Sequence, residues 1–315
     1  MSEEHLHMKK LLFLLLFVIS TAFLFAQKQK VWLDADTGNE MDDLYAIVRL
    51  IKAPSIDLVG LSSAHFNYPD MVVMDKWNGY DMKTLKPVVE SQRINEEILG
   101  AMNRMGIPHP MGANRQSGKS FGQENYRDSP AAQAIIAAAR QLPPGEQLHV
   151  ITLGPLTNIA SVLMIAPDIL PRIKVYSLGA WYNPKTRVWN KSEFNVRNDL
   201  NAFDYVLNLD GLDLTVMPLE AAWPFKFYRE ETYQKLDESI AIEKILEDRW
   251  KVHNPQDAAR IMWDLALVEA YLRPELAQIK LVKTPPENTR RKVNVYVKIN
   301  EKVLAEDFWR VLKGE

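Results

Sequence analysis

From residue 31 onward, short apolar runs alternate with segments whose apolar residues recur at helical spacing. That alternation leaves few folds open to the chain. Residues 31–34, 56–61, 148–153, 175–178, 214–217, 279–282 and 293–299 read as strands. Residues 42–52 read as a helix, with Leu44, Ile47, Val48 and Ile51 on one face. Further helices are expected over 94–105, 131–140, 156–165, 199–208, 230–249, 256–271 and 306–312, and a long loop over 68–86. Ser129-Pro130 supplies an N-cap and a first-turn proline for the segment that follows. Strands alternating with helices predict an α/β fold, with a Rossmann-like open, mostly parallel sheet flanked by helices in a single domain. In such sheets ligands bind beyond the carboxyl ends of the strands.

The first residues stand apart from this pattern. Met8-Lys9-Lys10 precedes an apolar run from Leu11 to Ala26. A basic start, an apolar stretch and a small residue at its end predict a signal peptide over 1–26, with Met8 as an alternative start. The run is short for a membrane span. The expected product is therefore secreted or periplasmic, with one catalytic domain over 27–315. A formal net charge of −2 gives no reason to expect nucleic acid or an anionic membrane as partner. With no cysteine, thiol catalysis and cysteine metal sites are excluded.

At the end of the first expected strand, Leu33-Asp34-Ala35-Asp36-Thr37-Gly38-Asn39-Glu40-Met41-Asp42-Asp43 places five acids in eleven residues. Like charges this close repel, and acids seldom enter a buried strand without a partner. Oxygen-rich clusters suit hard cations such as calcium or magnesium. A calcium loop of the EF-hand type fails on register: counted from Asp34, Asn39 stands where glycine is needed and Tyr45 where glutamate is. Asp34-Ala35-Asp36 also matches the start of a metal-dependent, haloacid-dehalogenase-like phosphatase. The threonine of that motif comes one place early, and no convincing downstream acidic motif follows. A solvated loop capping the next helix through Asp42 would explain two acids but not five.

Four segments together resemble the nucleoside hydrolase family. The first is Asp34-x-Asp36-x-Gly38 with Asp42-Asp43-x-x-Ala46-Ile47. The others follow in the family's order: Leu153-Gly154-Pro155-Leu156-Thr157-Asn158-Ile159-Ala160, then Glu193-Phe194-Asn195 with Asp199, then Trp263-Asp264. The resemblance implies hydrolysis of the N-glycosidic bond of ribonucleosides with a bound calcium ion. It implies Asp36, Asp43, Asp264 and the Leu153 carbonyl as metal ligands, and Asp36 as general base. Asp42 and Asp264 would hold the ribose 2′ and 3′ hydroxyls, and Glu193, Asn195 and Asn67 the rest of the sugar. Asp34 is expected to orient the ligands, and Thr157-Asn158 to start a helix. A homodimer or homotetramer is also implied.

The chain departs from the family pattern in three places. Trp263 stands where many members carry a histidine that protonates the leaving base. Tryptophan cannot serve as a general acid, but it stacks on a flat base, which resembles the purine-preferring branch. Trp181, Trp189 and Trp223 are candidates for the same pocket, although packing explains each of them singly. Three residues, Asn39, Glu40 and Met41, separate Gly38 from the Asp pair where one is usual, which brings Glu40 within reach of the ion or substrate. Residues 118–127 replace a histidine-and-glycine loop. His109, His149 and His253 read as structural. Beside the hydrolase stand two other readings: the phosphatase, and a secreted nucleoside- or sugar-binding protein without turnover.

Overall fold

The computed structural model describes residues 28–118 and 125–315. The expected signal peptide over 1–26 and most of the 118–127 loop lie outside those residues. Seven strands form the central sheet: β1 (Gln29–Ala35), β2 (Ile56–Ser63), β3 (Leu148–Thr152), β4 (Ile173–Leu178), β5 (Asp213–Met217), β6 (Ala277–Lys283) and β7 (Lys292–Ile299). Their spatial order is β6-β7-β5-β4-β3-β1-β2. All neighbours are parallel except the antiparallel edge pair β6 and β7. The expected α/β architecture is present.

Helices cover both faces because the inner strands are apolar on both faces. Among them are α1 (Asp42–Ile51), α2 (Pro87–Ala101), α3 (Pro130–Gln141), α4 (Thr157–Ile165), α5 (Phe194–Asn198), α6 (Leu200–Asn208), α7 (Ala241–His253), α8 (Trp263–Leu272) and α9 (Glu301–Leu312). Leu33, Ile47, Ile151, Leu267 and Phe308 belong to one buried cluster. Val150, Ile159, Val175 and Phe203 belong to a second. Ser129 caps α3 as expected, accepting from the Ala132 amide at 3.1 Å.

Four segments differ from the expected pattern. The helix expected over 230–249 is two helices, Arg229–Lys235 and α7. Between them Asp237 accepts from the amide and hydroxyl of Ser239, a side-chain turn that competes with helix. The helix expected over 256–271 begins only at Trp263, because Ala259–Ile261 pairs with Lys226–Tyr228 instead. Helix α2 starts at Pro87, seven residues before its expected start, and ends before Asn103, which is left-handed at φ 55°. The expected loop over 68–86 contains a hairpin, Lys76–Trp77 against Tyr80–Asp81. Its Asn78-Gly79 turn has φ of 44° and 84°, the positive pair that a tight hairpin needs.

The strand order reverses at β1, whose neighbours are β2 on one side and β3 on the other. A parallel sheet opens a crevice at such a switch point. Asp36 follows β1 and Leu153 follows β3, so both stand at its mouth. The Leu153 amide donates to the Asp34 carbonyl at 2.9 Å and ties the two strand ends together.

Candidate active site

Three elements bring the acids together. Asp36 leaves the end of β1, Asp42 and Asp43 open α1, and Asp264 lies in the first turn of α8. Carboxylates at a helix N-terminus face unpaired amides and the positive end of the helix dipole. All four side chains are at most 4 % exposed. Oxygens of Asp42, Asp43 and Asp264 lie within 4.8 Å of one another. The Asp264 amide donates to Asp42 Oδ2 at 3.0 Å, fixing one helix start against the other. Gly154 lets Asp36 approach, since a Cβ there would stand 2.8 Å from the Asp36 carboxyl carbon.

The electrostatics of this cluster are unfavourable as the side chains stand. Burial first, and then Asp43, pushes the Asp36 carboxyl well above the carboxylate range. Burial followed by Asp42 does the same to Asp43 and to Asp264. Burial followed by Glu40 raises Asp42 to about 7. Asp36 Oδ2, Asp43 Oδ1 and Asp264 Oδ1 are buried with no hydrogen-bond partner among the described residues. Orphaned buried carboxylate oxygens are costly, and a hard divalent cation with oxygen ligands relieves both the repulsion and the missing partners. The donor set therefore fits calcium or magnesium.

Support around the acids is dense. Asp34 accepts from the Ser62 hydroxyl at 2.5 Å and from Asn158 Nδ2 at 2.9 Å, an orienting position. Asn158 is more than a helix start, because its Oδ1 also accepts from the Ala113 amide at 2.9 Å. Every part of the lengthened turn is held. The Gly38 carbonyl accepts from Arg249 at 2.8 Å, and Asn39 Oδ1 from Trp77 Nε1 at 3.1 Å. The Asn39 carbonyl accepts from Asn78 at 2.7 Å, and Glu40 pairs with Arg260. Glu40 thus has its own cation on the flank of the cluster.

Of the sugar-side candidates, Asn195 and Glu193 stand at the same mouth, Asn195 on the Leu153 carbonyl and Glu193 near enough for its charge to act on Asp36. Asn195 Nδ2 donates to the Leu153 carbonyl at 2.5 Å. Glu193 is buried and caps α5, accepting from the amides of Asn195 and Val196 at 2.9 and 3.0 Å and from Ala180 at 3.2 Å. Phe194 packs against both Tyr68 at 4.6 Å and Trp77 at 5.5 Å, so the hairpin packs over this segment. Asn67 is half-buried, and its side chain donates to the Asn114 carbonyl at 2.7 Å. On the other flank Trp263 meets Trp223 at 5.6 Å, and Trp223 meets Trp181 at 6.1 Å. Trp189 is elsewhere, against Tyr182. His109, His149 and His253 hold the Ile107 carbonyl, the Tyr271 hydroxyl and the Asn78 carbonyl.

His65 carries no sequence signal of its own, yet it positions the Asn67 loop. Thr157 donates its hydroxyl proton to Asp199 at 2.6 Å, so His65 Nε2 donates to Thr157 Oγ1 and Nδ1 accepts from the Asn67 amide. Burial pushes the ring from 6.5 down to about 4. A lowered folded pKa means the unfolded chain binds the extra proton between pH 6.5 and 4, so stability falls as pH drops through that window. The expected loss from this ring alone is about 2 kcal/mol between pH 7 and 5. Urea titrations of the parent and His65→Gln at both pH values check it. Comparing the two proteins cancels the acid cluster, and an equal acid loss in both would reject the role.

A mostly parallel α/β sheet with a buried oxygen-donor cluster at its switch point defines an α/β protein with a candidate metal site, and sequence comparison supplies the family. The profile of the inosine-uridine preferring nucleoside hydrolases matches residues 31–309. The chain belongs to that family. It is 26 % identical over 208 residues to the pyrimidine-specific ribonucleoside hydrolase RihB of Escherichia coli strain SE11, and 29 % over 199 residues to an uncharacterised Schizosaccharomyces pombe protein. These matches cover 62 % and 61 % of this chain, and span about three-fifths of the length of those curated relatives, 60 % and 61 %. The fold is similar to that of a purine-preferring ribonucleoside hydrolase from Gardnerella vaginalis, with TM-score 0.64 and 19 % identity over 91 % of this chain and 98 % of that one. It is also similar to an inosine-guanosine nucleoside hydrolase, with TM-score 0.66 and 15 % identity over 90 % and 98 %.

Proposed function

We propose that the protein is an exported, calcium-dependent hydrolase of the N-glycosidic bond of free ribonucleosides, with purine nucleosides favoured, acting as a homodimer or homotetramer. The observation that carries the reading is the set of orphaned oxygens on Asp36, Asp43 and Asp264, within a chain of this family. Asp36, Asp43, Asp264 and the Leu153 carbonyl would hold the ion. Bound there, calcium would make water more acidic and neutralise the carboxylates. Asp36, whose Oδ2 has no hydrogen-bond partner among the described residues, is suited to take the proton of the water that attacks the anomeric carbon. The buried carboxylates stabilise the positive charge that develops on the sugar ring as the base leaves. Asp42 and Asp264 receive the ribose hydroxyls, and Glu193, Asn195 and Asn67 orient the rest of the sugar.

The purine preference rests on the Trp263–Trp223–Trp181 array beside Asp264. Indoles offer a stacking surface that favours the larger base. The likeness to a pyrimidine-specific relative supports the opposite preference.

The test is ribose release from inosine, adenosine, guanosine, uridine and cytidine, with chelator and with calcium restored. Release abolished by chelation and regained with calcium is expected, fastest on purines. No release from any nucleoside would remove the hydrolase reading, and phosphate release from a phosphomonoester in its place would establish the phosphatase. Trp263→Ala should slow purine substrates about tenfold more than pyrimidine ones, the size of one lost aromatic contact. An equal loss on both would reject the stacking role.

A further inference from the structure

Away from the acid cluster, the hairpin Trp181–Asn183 with Val188–Asn190 separates two surfaces. Trp181 faces the Trp223–Trp263 array, while Tyr182, the next residue, lines a groove of about 550 Å³ against the edge strand β6. Five cations line that groove: Arg187, Lys280, Lys283, Arg290 and Lys292. No acid lines it. The nearby Glu287 is already paired with Lys191 at 2.8 Å. Among the described residues, none of the five cations forms an ion pair. Concentrating them in one groove of a chain whose net charge is −2 creates a strong local positive field.

A further observation points to a ligand. Thr284 lines the groove, is 1 % exposed, and its hydroxyl has no hydrogen-bond partner among the described residues. Buried hydroxyls without partners are rare in finished structures. Arg187 and Arg290 both hold left-handed backbone, at φ 61° and 64°. Both residues close connecting turns, Arg187 with its amide donating to the Asn183 carbonyl at 2.7 Å. The groove also has an aromatic wall: Tyr182 and Trp189 pack at 4.9 Å, and Trp189 Nε1 is anchored on the Lys283 carbonyl at 3.0 Å.

We infer that this groove is a second binding site, for a mononucleotide carrying at least two phosphates. Its phosphates meet the arginines and lysines, Thr284 donates to a phosphate oxygen, and its base lies on Trp189. The volume suits one nucleotide. A second copy of the chain is a poor occupant, because a two-fold interface here would set the five cations against their own counterparts. The site is separate from the acid cluster and does not depend on the hydrolase reading. Phosphates would be repelled by that cluster and drawn to this groove.

Calorimetry of the full chain at 0.15 M salt with ADP, AMP, adenosine and pyrophosphate tests the assignment. ADP should bind more tightly than AMP, and Asp36→Asn should leave ADP binding intact. The exposed charge reversals Lys283→Glu and Arg290→Glu should each weaken ADP at least tenfold with ribose release unchanged. Trp189→Ala should weaken ADP about tenfold and spare pyrophosphate. No ADP binding at millimolar concentration, or binding indifferent to both charge reversals, overturns the site. Pyrophosphate binding as tightly as ADP, with no effect of Trp189→Ala, would reduce it to an unspecific anion patch. Affinity that climbs with oligonucleotide length would replace the mononucleotide with nucleic acid.

Discussion

Replacing Asp36 with asparagine is expected to lower ribose release by about 10³-fold, the range of a lost general base, while raising the melting temperature in chelator. The two effects share one origin. The Asp36 carboxyl is buried against Asp43, and its folded pKa lies well above the ordinary 3.8. A carboxyl with a raised folded pKa holds its proton more tightly when folded, so its contribution to stability falls as pH rises above 3.8 and is unfavourable at pH 7. Asparagine keeps the shape and removes the charge. In the parent, calcium at 100 times its dissociation constant should add about 2.7 kcal/mol of stability, and in the variant much less. Turnover and melting, each with and without calcium, check both halves. Turnover within tenfold of the parent would remove Asp36 from proton transfer. An unchanged calcium shift would remove it from the ligand set.

That coupling of instability to chemistry explains which parts of the site are legible in the sequence. Asp34, Asp36, Asp42 and Asp43 break local rules, being acids inside and just after an apolar strand, and so they stand out. Asn195 and Asp264 are legible only through resemblance, since nothing local marks them. The partners of the lengthened turn are not legible at all. Arg249 and Arg260 come from more than 200 residues away, and no spacing rule links them to Gly38 and Glu40. The Asn78-Gly79 hairpin signal is present in the sequence, but its strands are two residues long and show no alternation to frame it. The sheet is legible because its inner strands are short, mostly apolar runs. Helix ends are less so, because side-chain turns such as Asp237 with Ser239, and strand pairing such as Ala259–Ile261, compete with helix after long-range packing forms.

The frame that holds the acids predicts a second large effect, at a distance from them. Helices α1 and α8 both start at the cluster, and near their other ends they are joined by a buried ion group. Arg49 Nε donates to Glu269 Oε1 at 2.6 Å, and Arg49 Nη2 to Asp307 Oδ2 of α9 at 2.7 Å. Arg273 and Arg310 complete the group on Asp307, at 2.5 and 2.7 Å. Burial pushes Glu269 up to about 7 against the pull of Arg49, whereas Asp307, with three guanidinium partners, is held low. Arg49→Met leaves Glu269 buried and unpaired, so a loss of about 3–5 kcal/mol in unfolding free energy is expected. Adding Glu269→Met should recover most of it, because a buried pair replaced by packed apolar side chains is often neutral. Calcium affinity separates clamping from mere stability. The single variant should bind calcium more weakly, since the starts of α1 and α8 are no longer held in register, and the double variant should remain weak although its stability returns. If the double variant regains full calcium affinity, packing alone sets the register and the ion group has no part in holding the ligands.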